Sequence, residues 1–139
     1  MKDFNLTFEL CRKMAEAAEK AQKELDVEIS LAIVDRHGSL RYFFRYGDAI
    51  LPSIEIAQNK AYTAAVLRQS TREFGKVGQV DGEAFGINAV QPKLVIFGGG
   101  FPLQIDGATV GGIGISGASV EEDELVAARV LETFQQVTA

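Results

Sequence analysis

The chain has 139 residues, 47% of them hydrophobic, with 14 basic against 19 acidic side chains and a net charge of −5 at pH 7. That length gives one domain, residues 1–139, able to bury a core without covalent staples, and the acidic balance disfavours nucleic acid and anionic membrane surfaces, which select clustered Lys and Arg. Cys11 is the single cysteine and His37 the single histidine, which excludes an internal disulfide and an ordinary zinc site; the expected partners are a small molecule and further copies of the chain.

No stretch of about 18 apolar residues exists to cross a membrane. The N-terminal run MKDFNLTFELCRKM lacks the apolar core of a signal peptide. The expected location is the cytoplasm.

Leu6, Leu10, Met14, Ala18, Ala21 and Leu25 recur at helical spacing among charged residues and predict an amphipathic first helix, with Cys11 as a packed thiol. Val27 to Val34 alternates as a strand and Leu40 to Tyr46 is a second, aromatic-rich one, with His37-Gly38 between them suited to a tight turn. Pro52 and Ser53 open a helix running to Leu67, on which Ala57, Ala61, Ala64 and Ala65 make a narrow face of small residues. Ser70 and Glu73 have the spacing of a capping box for a short helix through Val77. A further short helix is predicted from Gly82 to Val90, ended by Pro92, and a third strand over Lys93 to Phe97.

After Gly98, Gly99 and Gly100 comes a strand from Phe101 to Ile105. Asp106-Gly107 has the form of a type I′ hairpin turn, and Ala108 to Ser116 returns as the fifth strand. Ser119 and Glu122 cap the last helix. Strands joined by tight turns give an α/β (α+β) fold: a five-stranded, largely antiparallel sheet with the terminal helices on one face and the middle helices elsewhere.

Gly112, Gly114 and Gly117 match G-x-G-x-x-G, but no further strand carrying an acidic residue about 20 positions on follows, so this is not a dinucleotide site. Glu121, Glu122, Asp123 and Glu124 also load the next helical turn with charge that repels a pyrophosphate. Ser116 is not a nucleophile elbow, because the second glycine of G-x-S-x-G is missing.

Taken together, Leu31-Ala32-Ile33-Val34-Asp35 with Gly38, Arg45, Lys60 to Ala65, Gly99-Gly100-Phe101-Pro102-Leu103, Asp106-Gly107, Gly111, Gly114, Ser116, Gly117 and Asp123 resemble the GlcG/HbpS-like family. That family includes the C-terminal domain of PduO-type proteins. The resemblance covers nearly the whole chain and implies a profilin-like or roadblock-like sandwich assembled into homo-oligomers. It also implies a small-molecule-binding accessory role, with haem or another tetrapyrrole as the ligand. Two other classes stay open: a small enzyme handling an organic acid or aldehyde, and a structural oligomer of a metabolic assembly.

The residues expected to line a ligand are Lys60, Arg45, Gly99, Gly100, Phe101 and Ser116, placed between the Lys60 helix, the glycine loop and the start of the last helix. Lys60 falls off the polar helix face, so its ammonium points into a cleft or forms a salt bridge, with Asp35 or Asp48 as partner. In the enzyme reading Lys60 is a base or anchor, and Gly99 and Gly100 donate to an oxyanion. Arg41 and Arg45, two apart on one strand with Phe43 between, read as a carboxylate grip or a solvated face. Asp81 and Glu83 form a loose carboxylate pair. Asp106 reads as a turn residue, and Asp123 as a helix-dipole or interface residue. His37 reads as an exposed turn residue rather than an iron ligand, while Met14 and Cys11 belong to the apolar first helix. The small-residue helix face and the aromatic second strand supply the packing surface for self-association.

Overall fold

The computed structural model describes residues 4–139. Its elements are α1 (Phe8–Leu25), β1 (Ser30–Asp35), β2 (Leu40–Arg45), α2 (Pro52–Leu67), α3 (Thr71–Gly78), α4 (Ile87–Val90), β3 (Gly100–Ile105), β4 (Ala108–Ser116) and α5 (Val120–Thr138). The four strands form one antiparallel sheet in the order β2-β1-β4-β3.

Each end of an element has a local cause. Thr7 caps α1 by accepting from the Leu10 amide. Ser119 and Glu122 complete both bonds of the capping box of α5. At Ser70 only half of the box forms: the hydroxyl accepts from the Glu73 amide, while the Glu73 carboxylate turns to Lys76. Asp106 and Gly107 both have positive φ, 51° and 83°, as a type I′ turn requires.

The expected fifth strand, Lys93 to Phe97, is not one. Its backbone finds partners on helices instead of a strand neighbour: the Val95 amide donates to the Thr63 hydroxyl, whose proton is shared between the Asn59 carbonyl at 2.7 Å and the Lys93 carbonyl at 3.0 Å, and the Gln79 side-chain amide donates to the Ile96 carbonyl. The sheet therefore has four strands. The expected helix from Gly82 to Val90 also shortens to the single turn of α4, because Gln79 to Gly86 is spent on tight turns.

The two faces of the sheet are covered differently. Leu31, Ile33, Leu103, Ile113 and Ile115 project onto one face and meet Leu10, Met14 and Ala18 of α1 with Val126, Val130 and Phe134 of α5. Ala32 and Val34 project onto the other and meet Ala57, Ala61 and Ala65 of α2, with Phe43 at the side. The alanine face expected to serve self-association is thus already consumed inside the protomer. Among the described residues no helix is long and apolar enough to cross a membrane.

Candidate functional site

Lys60 projects from the alanine side of α2 and is fully buried. Its Nζ donates to the Ile115 carbonyl at 2.8 Å and to Asp123 Oδ2 at 3.1 Å, and lies 5.2 Å from the centroid of the Phe97 ring. Asp123, 3% exposed, accepts from the Ala118 amide through its other oxygen at 3.0 Å. Burial pushes the Lys60 pKa down and is resisted by the Asp123 charge; burial pushes the Asp123 pKa up and is resisted by Lys60 and the adjacent amides. With every polar atom of the pair bonded, the geometry is that of a charged pair tying α2, the end of β4 and the first turn of α5 together. Neither expected partner, Asp35 or Asp48, takes part. The helical stripe of α5 held the signal for Asp123, which stands three and four residues before the buried Val126 and Ala127.

The glycine loop wraps this pair. Gly99 has φ 120°, and a Cβ there would stand 2.6 Å from Lys60 Nζ and 2.7 Å from the Ile115 carbonyl oxygen, so only glycine fits. Its amide donates to Glu124 Oε1 at 2.8 Å, and the Gly100 amide donates to Thr71 Oγ1 at 3.0 Å. Both amides expected to serve an oxyanion are therefore occupied, and Lys60 is committed to a carboxylate. In this arrangement Lys60 and the two amides are engaged in ties between α2, β3, β4 and α5.

The other expected residues separate. Phe101 follows Gly100 on β3 and faces the opposite side of the sheet, half-buried against the α1/α5 core. Ser116 is buried and lies opposite Ser30, whose hydroxyl pairs with that of Ser53 at 2.8 Å. Arg45 lies at the far edge of the sheet, donating to the Ala49 carbonyl at 2.8 Å. Arg41 and Arg45 do not make a grip: the ladder shifts between Ile33 and Val34, leaving Arg41 without a register partner on β1, and its guanidinium turns to Asn5, the Leu6 carbonyl and, at 4.0 Å, Asp35. Asp81 and Glu83 are exposed in the turns after α3. His37 is exposed in the β1–β2 turn, as its place beside Gly38 predicts.

A cleft of about 570 Å³ does open between α3, the glycine loop and the start of α5. Phe97, Val120 and Leu125 are its apolar walls, Arg72, Glu121 and Glu124 its charges, and Gly98 and Gln79 complete it. The expected position of the site is the position of this cleft, but its lining is not the expected one: Lys60 is not among its walls. Of these residues sequence reasoning singled out only Gly98, since Phe97, Val120 and Leu125 look like ordinary strand and helix residues until α3 is folded beside them.

These features define a small antiparallel α+β domain with a ligand-sized cleft at one end of its sheet. The family model for haem-degrading HbpS-like proteins matches residues 6–132, and the chain belongs to that GlcG/HbpS-like family. It is 37% identical over 133 residues to an uncharacterised 15.0 kDa protein encoded between dhaT and dhaS in Citrobacter freundii, covering 95% of this chain and 94% of that one. It is 40% identical to the corrinoid adenosyltransferase PduO of Salmonella typhimurium over 85% of this chain, a match that spans only 35% of PduO. Among solved structures, a complex of PduOC with haem superposes with a TM-score of 0.89 at 37% identity, over 94% of this chain and 95% of that one. HbpS superposes at 0.85 with 32% identity, over 95% and 92% of the two chains.

Proposed function

We propose that the chain is a cytoplasmic, non-redox accessory protein that binds a small molecule, with haem or another tetrapyrrole as the ligand class and the cleft between α3, the glycine loop and α5 as its site. The observation that carries this reading is the likeness over nearly the whole chain to a domain solved with haem bound. The cleft volume, about 570 Å³, lies within the range of small-molecule sites.

The residues of the cleft fit part of such a ligand. Phe97, Val120 and Leu125 suit the flat apolar faces of a macrocycle, and Arg72 offers one guanidinium to a carboxylate. Glu121 and Glu124 oppose further carboxylates, so these have to point to solvent. Among the described residues no imidazole, thiolate or thioether lines the cleft: His37 is at the opposite end of the sheet, and Cys11 and Met14 are buried on the sheet side of α1. The described residues of the cleft suit the ring and offer the iron no imidazole, thiolate or thioether, so the role read here is that of a holder for the macrocycle.

A titration with ferric haem, followed at the Soret band, tests this. The expected result is saturable binding that Leu125→Arg, an exposed change filling the cleft, weakens about tenfold or more while His37→Ala leaves it unchanged. Tight stoichiometric binding abolished by His37→Ala would move the ligand to the other end of the sheet. Absence of saturable binding would point to another small metabolite.

The same reading holds that the protein self-associates. β2 is an edge strand with Leu40 and Phe44 exposed, and Val80, Phe85 and Val90 stand exposed around α4. Sedimentation at micromolar concentration is expected to give a multiple of the 15.0 kDa chain mass; a single species at that mass contradicts it.

A further inference from the structure

At the end of the sheet away from the glycine loop, the β1–β2 turn, the C-terminus of α2 and the β3–β4 hairpin enclose an open cleft of about 590 Å³. Arg36 and His37 enter it from the turn and Arg68 from the helix, with Gln104 and Thr109 on the hairpin side. We propose that this cleft is a binding site for a small dianion, a phosphate or a dicarboxylate, held between the Arg36 and Arg68 guanidiniums.

Three observations carry the proposal. Of the seven arginines in the sequence, Arg12, Arg41, Arg45, Arg72 and Arg129 each have a carboxylate within 4.0 Å. Among the described residues, the two that have none are Arg36 and Arg68, and both line this one cleft. In a chain with 19 acidic and 14 basic side chains, two unpaired guanidiniums and an imidazole brought together from segments about 30 residues apart are a local reversal of charge.

The carboxylate next to Arg36 in the chain, that of Asp35, is already engaged. Asp35 Oδ1 accepts from the amides of His37 and Ser39, and its Oδ2 faces Arg41 at 4.0 Å. The Arg36 Nε donates to His37 Nε2 at 3.3 Å, which orders these two side chains and leaves the terminal nitrogens of Arg36 for an incoming oxyanion. Arg68 occupies the C-cap of α2 in the left-handed conformation, φ 58° and ψ 37°, where glycine costs least. A guanidinium stands where the backbone alone would select its absence.

Planar guanidiniums bind phosphate and carboxylate oxygens in pairs, so two lining one cleft suit a doubly charged anion. This site lies at the other end of the sheet from the proposed tetrapyrrole cleft, and the two readings stand or fall separately. Because His37 is the only histidine, its ring protons give one resolved set of signals to follow. Inorganic phosphate and succinate are titrated in turn, at fixed pH and ionic strength, into the protein and into Arg68→Gly, which deletes the charge and keeps a residue suited to the positive φ. Saturable shifts, weakened about tenfold or more in Arg68→Gly and unchanged in the remote Arg12→Ala, are expected. Saturation by phosphate alone assigns the site to phosphate esters, and saturation by succinate alone assigns it to dicarboxylates. Shifts that never saturate with either anion, or saturation equal in Arg68→Gly, overturn the proposal.

Discussion

The two faces of the sheet are built on opposite principles. Beneath α1 and α5 the space is filled by side-chain volume, with Met14, Leu31, Ile33, Ile113, Ile115 and Phe134 interdigitating. Beneath α2 it is closed by the absence of side chains: Ala57, Ala61 and Ala65 lie against β4, where a Cβ at Gly114 would overlap the Ala57 carbonyl and stand 2.6 Å from the Ala61 amide. With backbones so close, there is little room for apolar bulk to hold α2 in place. Polar groups take over that role, in the Lys60–Asp123 pair, the Ser30–Ser53 hydroxyls and the Thr63 hydroxyl bridging to the 93–95 backbone. The cleft opens at the end of this polar side, where α3 and α5 approach the glycine loop.

The largest effect expected from breaking this contrast is at the ion pair. Lys60→Met keeps the stem and removes the ammonium, leaving Asp123 buried without its partner, and should destabilise the fold by about 3–5 kcal/mol in urea unfolding. Adding Asp123→Leu should recover much of that loss, because the cost lies in the orphaned charge. Unchanged stability in Lys60→Met, together with lost ligand binding, would instead restore the expectation that Lys60 serves a ligand.

A smaller contrast comes from two neighbouring residues of β4 that face opposite ways. Gly114→Ala adds one methyl on the crowded α2 side, against backbone that cannot rotate away, and should cost about 3 kcal/mol. Ile113→Val removes one methyl on the volume-filled side and should cost about 1 kcal/mol. Equal urea midpoints for the two variants would mean that the faces are not packed differently.

The smallest effect concerns the polar tether on the apolar face, where the Tyr46 hydroxyl donates to the Ala15 carbonyl of α1. Tyr46→Phe should cost about 1 kcal/mol at neutral pH. Burial raises the Tyr46 pKa above its ordinary 10.0. A group whose folded pKa is raised stabilises fully below the unfolded value and loses that contribution as pH climbs past it, so above about pH 10 the parent protein should lose stability that the variant keeps. A gap between the two that stays constant from pH 8 to pH 11 would contradict this assignment.

Much of the architecture was legible in the chain. The apolar periodicity of α1, the alternation of β1, the Asp106-Gly107 turn and the Ser119–Glu122 box each act within a few residues, and each forms as the pattern predicts. The segment from Lys93 to Phe97 misled because its composition is that of a strand, while its backbone partners sit about 15 to 30 residues away on Thr63 and Gln79. The cleft was legible as a place and not as a set of residues. Glycines 98 to 100 and the start of the last helix marked the end of the sheet where it opens, but Phe97, Val120 and Leu125 carry no sign of a cleft in their local context.

The sequence by itself determined the family, the antiparallel order of the hairpins and the singularity of His37 and Cys11, because motifs, turns and composition are properties of the chain alone. Tertiary structure decided what Lys60 does. Its burial, its choice of Asp123 across 63 positions, and the engagement of the Gly99 and Gly100 amides by Glu124 and Thr71 arise only when α2, β4 and α5 close on one another. The same closure brings Arg36 and Arg68 to one cleft with no carboxylate within salt-bridge distance of either among the described residues. Pairing of charges depends on separation and burial rather than on order along the chain, and both are set by the packing of elements far apart in sequence.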